Sequence, residues 1–302
     1  MNGTRGGLSV GIDLGGTGSR FVAVDDAGRV AARASVATPK DGAGQVHAFL
    51  AHHIEDVLAG RPAHSIGIGA SGPIDADGTI RNPETLPAFT GIDILGPLQR
   101  RFGVRPAIDN DAVTAAIFET SNGVARDRAS ALVVTLGTGV GVCAIRGGLP
   151  VRGADGVHPE AGHLSVAGAH APCYCGRGAC WEQLASRSAL QRDAGRLLGS
   201  ATGTPADIGT AFGNALAGDP AARALFDSFG RTVAAGLADL LTVHRSACVV
   251  IGGSVAQYHR AFMPALERAL ASVTGCFPAP ELLMSDGDEY AGALGAARVA
   301  SG

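Results

Sequence analysis

The sequence has 302 residues, of which 46% are hydrophobic and 17% are charged, as is usual for a globular protein with one large or two medium-sized domains. Its formal net charge of −3 argues against a nucleic-acid-binding surface, and no apolar run is long enough to span a membrane. The first seven residues lack the apolar centre of a signal peptide, so we expect a cytoplasmic protein with no membrane or nucleic-acid partner. Lys40 is the only lysine, which excludes a phosphate loop of the Walker type.

The chain opens with two apolar runs on either side of the turn Gly15-Gly16-Thr17-Gly18. Residues 8–24 therefore predict a β-hairpin, and residues 30–36 predict a third strand. Asp13 falls within the first strand, where burying a carboxylate is costly. A carboxylate beside a turn rich in N–H donors is typical of a phosphate and magnesium pocket, although glycine turns are also common as plain hairpin connections.

The next segments alternate between helix and strand. Helical periodicity covers residues 45–58 and 93–102, and short strands are predicted at 65–69 and 105–108. The first strand runs into a loop at 70–75, and the second ends in Asp109-Asn110-Asp111 before a helix from 112 to about 120. A polar residue there is usually only a helix N-cap, but three in a row exceed what a cap needs. Because ligands bind at the carboxyl ends of such strands, both loops are candidate binding segments.

Residues 131–145 repeat the opening pattern of strand, glycine turn and strand, with Gly137-Thr138-Gly139 as the turn. Internal similarity of this kind indicates a repeated supersecondary unit, so we predict two related halves that face one nucleotide. A later strand at 247–251 ends in Gly252-Gly253-Ser254, and an edge strand is predicted at 282–284. Helices are predicted at 181–198, at 260–271 and at 291–300, and the segment from 198 to about 243 is predicted to be largely helical.

A cluster of soft metal ligands lies between residues 160 and 182. His163, Cys173, Cys175 and Cys180 fall within eighteen positions, and the carboxylates Glu160 and Glu182 flank them. Three thiolates and an imidazole are a common ligand set for a structural zinc ion, whereas three ordinary cysteines that cluster by chance are a less favoured explanation. Zinc does not explain the two glutamates, which suggest that the metal holds a polar site together.

Taken together, these motifs resemble the ROK family of bacterial sugar kinases and sugar-responsive repressors over nearly the whole chain. The most specific part is Cys-x-Cys-Gly-x-x-x-Cys-x-Glu after Glu-x-Gly-His. The resemblance implies an α/β protein with the duplicated actin/hexokinase-like (ribonuclease H-like) fold, in which two α/β domains surround a central cleft. We place a small domain at residues 1–111, closed by a C-terminal helix at 289–302, and a large domain carrying the zinc site at 112–288. Members of the family are often dimers or tetramers, which implies a homodimer or homotetramer.

The resemblance also implies roles for individual residues of an ATP-dependent kinase that uses Mg²⁺ and a structural Zn²⁺. Asp111 is the implied general base for a sugar hydroxyl, and Asp13 is implied to hold Mg²⁺ through water. His163 is implied to use one ring nitrogen for zinc and the other for the sugar. The implied sugar-binding residues are Gly72, Asn110, Asp111, Glu160, His163 and Glu182. The implied nucleotide-binding residues are Asp13, Gly15, Gly16, Thr17, Thr138, Gly139, Gly252 and Gly253. The implied zinc ligands are His163, Cys173, Cys175 and Cys180.

Departures from the family pattern leave the sugar open. The family loop Asn-Leu-Pro-Gly-Trp is here Thr85-Leu86-Pro87-Ala88-Phe89, and Gly18 stands where lysine is frequent. Glucose, phosphorylated at its 6-hydroxyl, is the first choice, and N-acetylmannosamine, N-acetylglucosamine, mannose and fructose are the alternatives. A sugar-sensing protein is a second class of function. A repressor of the family needs a helix-turn-helix domain ahead of the sugar domain, and the first strand begins near residue 8, so we expect a kinase.

Overall fold

The computed structural model describes residues 6–168, 172–200, 202–273, 275 and 277–300. Within these ranges the strands are β1 (Leu8–Leu14), β2 (Gly18–Val24), β3 (Val30–Ala37), β4 (Ala63–Ala70), β5 (Ala107–Asn110), β6 (Ser130–Leu136), β7 (Val140–Arg146), β8 (Leu149–Pro150), β9 (Cys248–Gly252) and β10 (Glu281–Met284). The α-helices are α1 (Val46–Leu58), α2 (Leu95–Phe102), α3 (Asp111–Ser121), α4 (Glu182–Ala185), α5 (Arg187–Leu197), α6 (Pro205–Ala217), α7 (Pro220–His244), α8 (His259–Ala271) and α9 (Ala291–Val299).

The described chain forms two compact units. The first contains the residues up to Arg128, the segment Gly148–Pro159 and the residues from Asp286 onwards. The second contains Ala129–Gly147 and Glu160–Ser285. The domain boundary between residues 111 and 112 is a different division and stays a prediction. No helix among the described residues has both the length and the apolar character needed to cross a membrane.

The first unit is built on a sheet with the strand order β3-β2-β1-β4-β5. β1, β2 and β3 are antiparallel neighbours, whereas β1, β4 and β5 run parallel. Ile12 and Ile68 are register partners and are fully buried, and each such side chain contributes about 1.5–3 kcal/mol of hydrophobic stabilisation. Helix α9 packs on β1 and β4. A side chain at Gly11 or Gly67 would collide with the backbone of α9, so glycine is required for this close packing.

The strands of the second unit follow the order β7-β6-β9-β10. β6 pairs antiparallel with β7 and parallel with β9, and β10 is parallel to β9. The neighbours and directions are those of β2-β1-β4-β5, which confirms the predicted internal repeat. On the helical side α7 and α8 pack together, and the fully buried ring of Trp181 lies against Gly236 of α7. The Trp181 indole N–H donates to the carbonyl of Thr232 at 2.9 Å, so the polar atom of this buried side chain has a hydrogen-bond partner.

The structure confirms most predicted elements and corrects two of them. The strand predicted at 105–108 lies at Ala107–Asn110, so Asp109 and Asn110 belong to β5 rather than to the loop after it. The single helix predicted at 181–198 is broken at Ser186, which has an extended backbone with φ −82° and ψ 164°. The Ser186 hydroxyl accepts from the Ala189 N–H at 3.2 Å, so this residue ends α4 and caps α5.

Candidate functional site

In the first unit the predicted site residues gather where β1, β4 and β5 end. Because these strands are parallel, their carboxyl ends lie at one edge of the sheet. Asp13 is next to last in β1, and the turn that follows it is closed by the Gly15 N–H donating to the Gly18 carbonyl at 3.2 Å. Burial raises the pKa of Asp13 to about 6, and the positive charge of Arg20, 4.0 Å away, opposes that rise. Gly16 and Thr17 lie in the same turn, with Thr17 exposed.

The only lysine of the chain, Lys40, contacts this turn. The Lys40 ammonium donates to the Gly16 carbonyl and, at 3.3 Å, to the Thr85 carbonyl. Thr85 begins the segment in which the sequence departs from the family loop. Lys40 therefore links the first glycine turn to that segment.

Asn110 joins the end of β5 to the loop after β4. Its side-chain oxygen accepts from the Ala112 N–H at 2.8 Å, and its amide nitrogen donates to the Gly72 carbonyl at 3.0 Å. Asn110 is therefore the N-cap of α3, which is the usual role of a polar residue before a helix, and it also fixes the Gly72 loop. Gly72 has φ +91°, a conformation that favours glycine, and a side chain there would collide with Asn82. Asp111 follows as the first residue of α3, where the helix dipole favours a carboxylate.

Asp109 is held in place from two sides. It is buried, and its Oδ1 accepts from the Asn110 N–H at 2.8 Å. The Arg152 guanidinium donates to both Asp109 carboxylate oxygens, to Oδ1 at 3.3 Å. Nearby, burial lowers the pKa of His158 to about 4, an effect that Asp109 opposes and Arg152 reinforces. Arg152 was not predicted, because nothing in its local sequence pattern indicates which carboxylate it contacts.

The predicted zinc ligands converge in the second unit. One ligand atom from each of His163, Cys173, Cys175 and Cys180 lies within 4.8 Å of the others. The Cys173 Sγ is 3.5 Å from the His163 Nδ1, and the Cys175 Sγ is 3.5 Å from the Cys180 Sγ. In a tetrahedral zinc site with Zn–S of about 2.3 Å, neighbouring ligand atoms are roughly 3.5–3.8 Å apart. The four residues therefore fit a zinc ion in both chemistry and spacing.

The second ring nitrogen of His163 is engaged by Tyr174. The His163 Nε2 lies 2.9 Å from the Tyr174 hydroxyl, and burial together with Glu182 and Glu160 raises the pKa of that hydroxyl. If Nδ1 binds zinc, the ring proton resides on Nε2 and is donated to the Tyr174 oxygen, an arrangement that orients the imidazole. Tyr174 was missed in the sequence. Its position between two cysteines was the available signal, but the hydrogen bond follows from the folded loop.

The two glutamates lie in the same unit as the zinc ligands. Burial and the charge of Glu182 raise the pKa of Glu160 to about 7. The Oε2 atom of Glu182 accepts from the Val140 N–H at 3.0 Å, directly after the turn that contains Thr138 and Gly139. A pocket of about 580 Å³ lies here, and Thr138, Cys173, Tyr174, Glu182, Ser188 and Arg192 are among its lining residues. Predicted sugar-binding, zinc-binding and phosphate-binding positions thus meet around one pocket of the second unit.

The remaining predicted positions, Gly252 and Gly253, lie at the end of β9. β9 is parallel to β6, so this glycine turn lies at the same sheet edge as the Thr138 turn. Gly253 has φ +81°, and a side chain there would collide with the Leu136 backbone. The predicted site residues therefore form two groups, one within each compact unit.

The comparisons with known proteins agree on a family. A sequence model of the ROK family matches residues 9–302. The chain is 31% identical over 268 residues to a glucokinase of Streptomyces coelicolor, with 82% of each chain covered. It is 31% identical over 297 residues to an N-acetylmannosamine kinase of Escherichia coli O9:H4, with 96% of this chain and 97% of that one covered.

A solved structure gives the same result at the level of the fold. A ROK family glucokinase from Streptomyces griseus, solved in complex with glucose and AMPPNP, superposes with a TM-score of 0.82 at 29% identity. The match covers 98% of this chain and 99% of the other. The duplicated topology of the two sheets and this match confirm the predicted actin/hexokinase-like fold.

Proposed function

Because the chain belongs to the ROK family and is a sugar kinase, we propose that it transfers the γ-phosphoryl group of ATP to the 6-hydroxyl of glucose. The observation that carries this proposal is the arrangement at the end of β5, where Asn110 caps α3, fixes the Gly72 loop and places Asp111 at the helix N-terminus. A carboxylate held on a rigid element at a ligand-binding sheet edge is what a general base requires.

In this proposal Asp111 accepts the proton of the sugar hydroxyl as its oxygen attacks the γ-phosphorus. The bond from the γ-phosphorus to the bridging oxygen breaks, and ADP leaves. Phosphoryl transfer depends mainly on positioning and charge stabilisation, and a general base typically contributes about 10²–10⁴-fold. Asp13 and the turn containing Gly15, Gly16 and Thr17 are the proposed magnesium and phosphate positions in the first unit. Thr138, Gly139, Gly252 and Gly253 are the proposed nucleotide positions in the second.

The acceptor sugar is proposed to bind through Gly72, Asn110, Glu160, His163 and Glu182. The pocket beside Glu182 and Tyr174 supports this assignment, because carboxylates accept hydrogen bonds from vicinal hydroxyls. For His163 to contact the sugar, its Nε2 must give up the hydrogen bond to the Tyr174 hydroxyl and bond to a sugar hydroxyl instead. The zinc proposed on His163 and the three cysteines has only protein ligands, so its role is structural.

A coupled assay with ATP, Mg²⁺ and a panel of sugars tests the proposal. We expect turnover with glucose and release of glucose 6-phosphate. Asp111→Asn should reduce kcat by about 10²-fold or more, while glucose binding measured by calorimetry changes little. No turnover on any hexose or hexosamine, or a near-native kcat for the variant, would overturn the proposed reaction or the proposed base respectively.

N-acetylmannosamine is the second candidate acceptor, because the Escherichia coli N-acetylmannosamine kinase matches nearly the whole chain at the same identity as the Streptomyces glucokinase. Higher kcat/KM with that sugar than with glucose would select it. The homodimer or homotetramer implied by the family is likewise a proposal, and sedimentation of the purified protein would decide it.

A further inference from the structure

The side chain of Arg187 lies between the two glycine turns of the second unit. Its Nη2 donates to the Thr138 hydroxyl at 2.8 Å, and its Nη1 lies 3.5 Å from the Ser254 hydroxyl. These hydroxyls belong to the turns that follow β6 and β9, the parallel strands whose carboxyl ends share one sheet edge. One guanidinium thus spans both proposed nucleotide-binding turns.

The backbone holds Arg187 rigidly in this place. Its N–H donates to the Gly137 carbonyl at 2.7 Å, and the Ser188 hydroxyl donates to the Thr138 carbonyl at 2.9 Å. On the other side, the Val255 N–H donates to the Leu136 carbonyl at 3.0 Å, which fastens the second turn to the end of β6. The backbone that carries the Arg187 guanidinium is therefore held in place, so less conformational entropy is lost when a ligand binds.

The charge of Arg187 has no carboxylate partner in the part of the chain that the structure describes. Its two acceptors are neutral hydroxyls, and its Nε is buried without a hydrogen-bond partner. A guanidinium remains charged at all physiological pH values, and a partly buried charge is unfavourable unless an anion or acceptors surround it. The Arg187 site thus has a surplus of positive charge and of donors, which an anionic ligand would balance.

We propose that Arg187 binds phosphate oxygens of the nucleotide and joins the Thr138 turn to the Ser254 turn around them, an inference that rests on the proposed kinase function. The fork of N–H donors in arginine matches phosphate in a bidentate manner. The one lysine, Lys40, already donates to two backbone carbonyls of the first unit. In kinases whose phosphate loop carries a lysine, that lysine supplies a positive charge to the phosphates. In this chain Arg187 supplies that charge in the second unit.

The test compares ADP with adenosine, since only ADP carries phosphates. Calorimetry with Arg187→Met should show ADP binding weakened by about 10- to 100-fold, the range for lost charge-assisted hydrogen bonds, with adenosine binding within about threefold of wild type. Arg187→Lys keeps the charge without the fork and should recover part of the ADP affinity. The matched control is Arg268→Met on α8, where the arginine is largely exposed and pairs with Asp227 at 3.4 Å.

The same variants separate this inference from the kinase proposal. In the coupled assay Arg187→Met should raise the KM for ATP and leave the KM for the hexose unchanged. Equal losses for ADP and adenosine, or unchanged ADP affinity, would overturn the phosphate contact even if the wild type is a kinase. A wild type that binds ADP through Arg187 but phosphorylates no sugar would support the contact and overturn the proposed reaction.

Discussion

The carboxylate of Glu182 accepts a hydrogen bond from the backbone N–H of Val140 at 3.0 Å. Glu182 begins α4, directly after the proposed zinc ligand Cys180 and the buried Trp181, and Val140 begins β7 directly after the second glycine turn. A proposed sugar ligand and a proposed phosphate turn are therefore tied by one charge-assisted hydrogen bond. A change in the turn should consequently alter sugar binding.

Gly139→Ala tests that relationship. A Cβ at this position would collide with the Oε2 atom of Glu182, so the carboxylate must move and its bond to Val140 is lost. We expect the KM for the sugar to rise about tenfold or more, in line with loss of a charge-assisted hydrogen bond. The control is Gly137→Ala in the same turn, where a Cβ meets no atom within 4 Å. Similar sugar KM values for the two variants would contradict the proposed link.

Arg152→Met should destabilise the first unit. Asp109 is buried and Arg152 is only about one-third exposed, so removing the arginine leaves a buried carboxylate without its cation. We expect the free energy of unfolding to fall by about 2–3 kcal/mol in urea titrations. The control is Arg81→Met, which breaks a 2.6 Å pair with Asp75 between half-exposed side chains and should cost clearly less, because exposed ion pairs contribute little. Equal losses of unfolding free energy in the two variants would show that Arg152 does not stabilise the buried Asp109 carboxylate.

His158 should make stability depend on pH below neutrality. Its pKa is lowered by burial from 6.5 to about 4, so between these values the unfolded chain binds a proton that the native state does not. The contribution of His158 to stability is therefore fully present above about pH 6.5 and is lost as the pH decreases towards 4, by at most about 3 kcal/mol, whereas the raised pKa values of Asp13 and Glu160 act in the opposite direction over this range. In urea titrations His158→Gln should therefore become more stable relative to the wild type as the pH is lowered from 6.5 to 4. His52→Gln, at an exposed position on α1, should retain the wild-type slope, and a wild-type slope in His158→Gln would refute the assignment.

Zinc content is the next measurable quantity. We expect about one zinc per chain by mass spectrometry in the wild-type protein. Cys175→Ser should lose most of it, because Cys175 is exposed and its replacement removes a ligand without opening the core. Cys143→Ala, at a buried cysteine of β7, is the control and should keep its zinc. A wild-type protein that neither contains zinc nor takes it up would remove the structural metal from the proposal.

Much of the fold could be predicted because its elements carry local signals. The hairpin at Gly15–Gly18 follows from apolar runs around a glycine turn, and the repeat at 131–145 was visible as the same pattern. The break at Ser186 was not predicted, since the residues around it continue a helical pattern and the capping bond depends on the local backbone. β5 was placed too early because Asp109 and Asn110 are polar, yet their side chains are satisfied by Arg152 and by the Gly72 loop.

The residues of the candidate site likewise separate into those with a local sequence signal and those whose role depends on tertiary contacts. The zinc ligands were predicted because cysteine and histidine spacing is itself informative, and the structure places all four together. Arg187, Arg152 and Tyr174 were missed because each acts through a partner that is distant in sequence or set by loop geometry. Their contacts arise from tertiary packing, which no local pattern encodes.

The position of Lys40 has a practical consequence for labelling the protein. Because it is the only lysine in 302 residues, a reagent that acylates side-chain amines has a single target besides the α-amino group. That target contacts the carbonyls of Gly16 and Thr85, so a fluorophore on Lys40 would lie where the first glycine turn meets the segment that departs from the family loop. The native chain thus carries its own attachment point for a spectroscopic reporter of ligand binding, with no cysteine chemistry that would disturb the zinc ligands.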